Sequence, residues 1–186
     1  PSDLGVMHFL EHMGFNGTAL DPERVGLEAQ LERLGAQKNA NTSGRRIEYP
    51  ILGSNQTGFL MEDCFLEVFE IYHGIVTAPL LREADVDKER KIVLREVREY
   101  EQSRSTPFRE IVEGMYERLY GNNHEPPTLG TDKTIAGINA GLLSLYHRKH
   151  FVGANTTVSV MGDIGNGEDV LTRVYEFMGQ MSKGQA

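Results

Sequence analysis

His8-Phe9-Leu10-Glu11-His12 is the stretch on which the reading of this chain turns. The histidines are four apart, so a helix sets both imidazoles on one face, about one turn from each other. Two ring nitrogens placed in that way can share one zinc ion at roughly 2.0–2.1 Å each. Glu11 stands three residues after His8 and next to His12. It can lean over the metal without binding it, which is where a general base acting on an activated water belongs. Phe9, Leu10 and Met13 give the same helix an apolar side. Core packing by itself does not call for His-Glu-His.

The rest of the composition bounds what such a site could serve. The chain has 186 residues, enough for one domain with a full core. Apolar residues make up 39% and charged residues 25%, the profile of a soluble globular protein. A net charge of −8 argues against nucleic acid or an anionic membrane as a main partner. Cys64 is the single cysteine, so no internal disulfide can form. No stretch reaches the length of a membrane span. The His-Glu-His helix begins eight residues in, with no signal peptide before it and few strand candidates after it. Residues 1–186 therefore read as a single domain that is a fragment, lacking at least one upstream strand.

Along the chain, Ser2 or Asp3 is expected to cap a first helix running to Met13. Asp21-Pro22 opens a second helix that Gly35 closes, with Val25, Leu27, Leu31 and Leu34 on its buried side. Asn39-Ala40-Asn41-Thr42 reads as a strand, followed by a turn at Ser43-Gly44. Ile47, Tyr49 and Ile51 alternate with polar residues as a second strand, and Pro50 confines it to an edge or an end. Leu60, Cys64, Val68, Ile71 and Ile75 mark a helix over 56–77, with Cys64 as a small buried hydrophobe. Further helices are expected over 83–104, from Pro107 with Phe108, Ile111, Val112, Met115 and Leu119 inward, from the Asn139 cap to His150, and over 168–178. Thr156 to Val160 is a β-branched strand candidate. The class is α+β, a mostly antiparallel sheet with helices packed on one side.

A catalytic zinc takes three protein ligands and keeps a position for water. Glu89 and Glu96, two turns apart on one helix face, offer a ligand and a hydrogen-bonding support for a ligand histidine. Pattern alone does not choose between them, because acidic residues among Lys88, Arg90, Lys91 and Arg95 also make an ordinary solvated face. Of the other histidines, His73 reads as a surface or satisfied residue, and His124 as a loop residue next to Glu125. His147 and His150 have cationic neighbours that disfavour metal.

The His-x-x-Glu-His order is the inverzincin signature, and with Glu89 seventy-seven residues after His12 it resembles the pitrilysin, insulysin and mitochondrial processing peptidase family. Residues 8–18 are similar to that family's zinc helix and its exit, and Asn39 to Ser43 to its substrate-binding edge strand. Leu129-Gly130-Thr131, Tyr146 to Phe151 and Asn155 to Asp163 extend the likeness over nearly the whole chain. The resemblance implies a zinc-dependent endopeptidase acting on peptides in extended form. His8, His12 and Glu89 would hold Zn2+ and Glu11 would act as general base. Asn39 and Ala40 would bind substrate by strand addition. It also implies a second half-domain or partner subunit that closes a chamber over the peptide. The family often carries a further glutamate seven residues before its third ligand. Here that position is Arg82, so Glu83 and Glu96 become the candidates to support the ligands. Two other readings stay in view. One is an S-ribosylhomocysteine-cleaving enzyme with Cys64 as third ligand, a role that a packed helix fits poorly. The other is a non-catalytic or partner-dependent subunit related to the processing peptidases; such subunits lose the zinc motif that this chain keeps.

Overall fold

The computed structural model describes residues 3–19, 21–22, 25–43, 46–53, 62–104, 111, 114–115, 118–119, 128–161 and 167–184. Ser2, the 56–61 part of the expected third helix, the helix start at Pro107, and His124 lie outside them. So do the side chains of Val25 and Cys64.

Helix α1 (Val6–Gly14) carries the His-Glu-His stretch. Its N-cap is Gly5 in the left-handed region (φ 87°), not a side chain of Ser2 or Asp3. Asp3 instead offers its backbone carbonyl to the Val6 amide and its carboxylate to the Tyr146 hydroxyl. The glycine is required by space as well as by conformation. A Cβ on Gly5 would lie 2.5 Å from Ile135 Cδ1 and 2.8 Å from the Leu129 carbonyl oxygen. Gly130 (φ 78°) faces it, and a Cβ there would come within 3.0 Å of Gly5 Cα. Only paired glycines let the two backbones meet.

Helix α2 (Val25–Arg33) ends at Gly35, whose φ of 71° makes the turn into the first strand. Strands β1 (Ala36–Lys38), β2 (Asn41–Thr42), β3 (Ile47–Glu48) and β4 (Ile51–Gly53) form two antiparallel two-stranded ladders. In one, Ala36 pairs with Gly53 and Lys38 with Ile51; in the other, Asn41 pairs with Glu48 and Thr42 with Ile47. The expected strand pair is thus present but interrupted, with Asn39 and Ala40 on one side of the break and Pro50 on the other. Proline cannot donate to a ladder. Opposite it, the Asn39 side-chain oxygen already accepts the Ala40 amide at 2.9 Å.

Helices α3 (Glu62–Thr77) and α4 (Glu83–Arg104) follow, the latter with the bounds its periodicity predicts. Helix α5 (Asp132–Ala136) was not expected; a reciprocal cap between Thr131 and Thr134 stabilises it. Helix α6 (Ala140–His150) is capped by the Asn139 side chain, as predicted, and α7 (Gly167–Met178) is the last element. The α+β class and the antiparallel pairing hold, with a sheet smaller than foreseen. Thr156 to Val160 is the main difference: Thr156 is extended, yet no ladder forms along the run. A strand exists only by pairing, and none of the described residues pairs with it. Ile111, Met115 and Leu119, expected inward, are 70%, 50% and 66% exposed, because no described element covers them.

Among the described residues two apolar clusters form the core. Val6, Phe9, Leu10 and Met13 of α1 pack with Val86, Val93 and Val97 of α4 and with Ile135, Ile138 and Leu143. Leu27, Leu31, Leu34, Ala36, Val68, Tyr72 and Ile75 form the second cluster, against which Phe15 and Tyr49 lie. Helix α1 and its exit touch both, so its polar edge is fixed at the seam between them.

Candidate metal centre

On that edge His8 and His12 turn their Nε2 atoms towards each other, 3.3 Å apart. Glu96 Oε2 of α4 closes the group at 3.3 Å from His12 Nε2 and 3.7 Å from His8 Nε2. Donors bound at about 2.0–2.1 Å around one tetrahedral ion stand roughly 3.3–3.4 Å apart, so these three atoms fit a single zinc. Among the described residues His8 Nδ1 is buried without a hydrogen-bond partner.

Glu89, expected from the resemblance as third ligand, faces the other side of His12. Its Oε1 lies 2.8 Å from His12 Nδ1, and its Oε2 accepts the Asn16 side-chain amide at 2.6 Å. A proton on Nδ1 leaves the Nε2 lone pair for a metal, so the Glu89 contact sets the tautomer a ligand needs. Glu89 and Glu96 therefore stand in exchanged places relative to the expectation. Glu83 is remote from the histidines: its Oε2 accepts the Ala140 amide at 3.1 Å and caps α6.

Electrostatics follow from burial and from these contacts. Burial, and then the neighbouring His12, lower the pKa of His8 to about 4, so the metal-free ring is neutral over the physiological range. Burial also pulls His12 down, but the hydrogen bond it donates to Glu89 and the charges of Glu96, Glu89 and Glu11 outweigh it, and its pKa is raised. Glu11 is raised chiefly by burial, against the opposing hydrogen bond from Thr42.

Glu11 does not join the three donors. Its Oε2 accepts a hydrogen bond from the Thr42 hydroxyl of β2. A cavity of about 380 Å³ opens beside it, lined by His8, Glu11, Ala40, Asn41, Thr42, Tyr100, Thr128 and Leu129. Ala40 thus reaches the pocket, while Asn39 is outside the lining and exposed. The sequence reading missed Asn16, Thr42 and Tyr100. Asn16 and Tyr100 sit one turn beyond His12 and Glu96, a spacing that could have raised both; Thr42 carries no such local signal.

One helix thus presents two histidines and a glutamate to an acidic residue of a second helix, beside a strand-lined pocket, a donor set that could hold one metal ion. The chain belongs to the insulinase family (peptidase family M16), whose pattern matches residues 1–131. It is 30% identical over 166 residues to the mitochondrial-processing peptidase subunit beta of Bos taurus, covering 88% of this chain and 31% of that protein. It is 29% identical over 168 residues to the uncharacterized zinc protease YmxG of Bacillus subtilis, covering 89% and 38% respectively. The chain thus spans about a third of the length of these relatives. In fold it resembles the periplasmic protease PqqL of Escherichia coli, with a TM-score of 0.79 and 24% identity over 100% of this chain and 20% of that one. Pitrilysin follows with a TM-score of 0.74 and 19% identity over 100% of this chain and 19% of its own. Among the described residues no helix is long and apolar enough to cross a membrane.

Proposed function

We propose that this chain is the zinc-holding, base-bearing part of an endopeptidase that cleaves peptides bound in extended form. The observation that carries this reading is the convergence of His8 Nε2, His12 Nε2 and a Glu96 oxygen within 4.8 Å of one another, with Glu11 beside them and not among them. His8, His12 and Glu96 hold the zinc, and Glu89 with Asn16 orients His12. The exchange also removes a mismatch. The family's further glutamate lies seven residues before its third ligand; counted from Glu96 that position is Glu89, whereas counted from Glu89 it is Arg82.

Zinc held there supplies Lewis acidity, polarising the scissile carbonyl and making water easier to deprotonate. Glu11 takes the proton from the attacking water and delivers it to the leaving amine. The substrate backbone lies along Ala40, Asn41 and Thr42 by strand addition. The opposing wall comes from a second half-domain or partner subunit. A hollow of about 530 Å³ along Val158, Val160, Val170, Leu171 and Val174 supports the further reading that sheet strands outside residues 1–186 complete this domain.

The test is Glu11→Gln. Bound zinc, measured on the 186-residue chain, is expected to stay at the wild-type level, while peptide cleavage by the complete peptidase falls by about 10²–10⁴-fold, the worth of a positioned general base. Loss of zinc would put Glu11 among the ligands and overturn the assignment.

A further inference from the structure

Glu11 is a long side chain at the mouth of a pocket, and a general base works only if its carboxylate is aimed. Left free it would spread over several rotamers, and holding one of them costs side-chain entropy. Within the described residues the one hydrogen bond recorded for this carboxylate comes from Thr42, whose hydroxyl donates to Oε2. That contact joins residues 31 apart in the chain, so no local helix geometry produces it. Thr42 is itself held: it pairs with Ile47 across the β2–β3 ladder, and the Ser43 amide closes the turn on the Arg46 carbonyl at 2.8 Å. Thr42 also lines the pocket with Ala40 and Asn41. The strand proposed to receive the peptide and the side chain proposed to take the proton from water are thus tied by one hydroxyl.

We infer that Thr42 is the positioning residue of the general base: its hydroxyl holds Oε2 of Glu11, leaves Oε1 to face the pocket, and makes the aim of the base depend on how β2 is seated. Thr42 touches neither the ligand nitrogens nor, in this role, the water; it acts through Glu11. The inference rests on the reading of Glu11 as base, and the tests separate the two.

The first test needs no activity. Urea unfolding of the metal-free 186-residue chain is compared for wild type, Thr42→Val, Glu11→Ala and the double variant, alanine being chosen because glutamine would keep an acceptor for the Thr42 hydroxyl. Valine keeps the shape and β-branching of threonine on a strand, and Thr42→Ala serves if Thr42→Val folds poorly. The midpoint shifts are expected to be non-additive, the double variant losing less than the sum of the two single ones. Additive shifts would mean that the residues do not interact, and would overturn the inference. The second test is turnover by the complete peptidase. Thr42→Val is expected to lower kcat by about 10-fold or more with KM and zinc content unchanged, and Thr42→Ser, which keeps the hydroxyl, to restore it. A rise in KM at unchanged kcat would assign Thr42 to peptide binding and overturn the positioning role. Wild-type turnover in Thr42→Val together with an inactive Glu11→Gln would remove Thr42 and leave the base in place. Turnover surviving in Glu11→Gln would remove the base itself.

Discussion

Replacing Glu96 and Glu89 one at a time by glutamine discriminates between the two orders of ligand and support. Both residues are on α4, and both carboxylates reach the same imidazole. Glutamine keeps the shape of either side chain and removes the charge. Structural zinc sites with four protein ligands bind with roughly 10–16 kcal/mol at neutral pH, so one ligand contributes about 2.5–4 kcal/mol. Loss of Glu96 from a three-ligand site is then expected to weaken zinc by about 10²–10³-fold. Glu89→Gln keeps a carbonyl oxygen that can accept the Nδ1 proton of His12, so its effect belongs at the low end of the roughly 10–100-fold range for residues that orient a ligand. The assay is competition for zinc against a chromophoric chelator at fixed pH, with circular dichroism confirming that each variant is folded. Cys64→Ser is the control and is expected to bind as wild type does. A larger loss in Glu89→Gln than in Glu96→Gln would refute the geometric assignment and restore Glu89 as ligand. A loss largest in Cys64→Ser would refute the peptidase reading altogether.

Gly5→Ala is expected to cost about 2–5 kcal/mol of stability, from left-handed strain of about 1–2 and overpacking of about 1–3 against Ile135 and the Leu129 carbonyl; an unchanged urea midpoint would contradict the close glycine contact. Tyr49→Phe is expected to leave stability unchanged or to raise it by up to about 1 kcal/mol, because the buried Tyr49 hydroxyl has no hydrogen-bond partner among the described residues; a marked loss in thermal unfolding would reveal one. In the metal-free chain, His8 and His147 have folded pKa values lowered chiefly by burial, so the unfolded state binds more protons and stability should fall as pH drops below about 6.5. His12 and Glu11, both raised, work in the opposite sense; a urea midpoint at pH 5 equal to or above that at pH 7 would show that they prevail.

What the sequence made legible was what short-range chemistry decides. The bounds of α4 and α6 follow from an acidic first turn at Glu83 and Asp85 and from the Asn139 cap. The His8, Glu11, His12 arrangement follows from helical spacing alone. Helix α5 escaped because the partner of Thr131 in its cap is Thr134, where the familiar pattern has Glu or Gln. The run Thr156 to Val160 shows the converse: β-branching favours a strand, but pairing is a long-range event that propensity does not encode. Thr42 was invisible as a partner of Glu11 for the same reason. The hairpin that brings it there depends on the turn and on the ladder, not on any neighbour in sequence.

The choice between Glu89 and Glu96 shows where a count along the chain stops being informative. A separation of seventy-seven residues from His12 measures everything between the two helices, including two strand pairs and the segment around 54–61. Residues gained or lost in that interval change the count without changing any spacing along α4. Distance along α4 is different, because it is a physical length. Seven residues are two turns, about 10.5 Å, and they return a side chain to nearly the same face. Val86, Val93 and Val97 anchor that face against Phe9, Leu10 and Met13 of α1, so α4 cannot slide or roll without opening the core. With the helices locked, carboxylates two turns apart bracket one imidazole: Glu89 reaches Nδ1 at 2.8 Å and Glu96 reaches Nε2 at 3.3 Å. The pair is therefore read as a unit, a support and a ligand in fixed order along the helix. It is the side of His12 that each one faces, not its distance from His12 in sequence, on which the proposed roles rest.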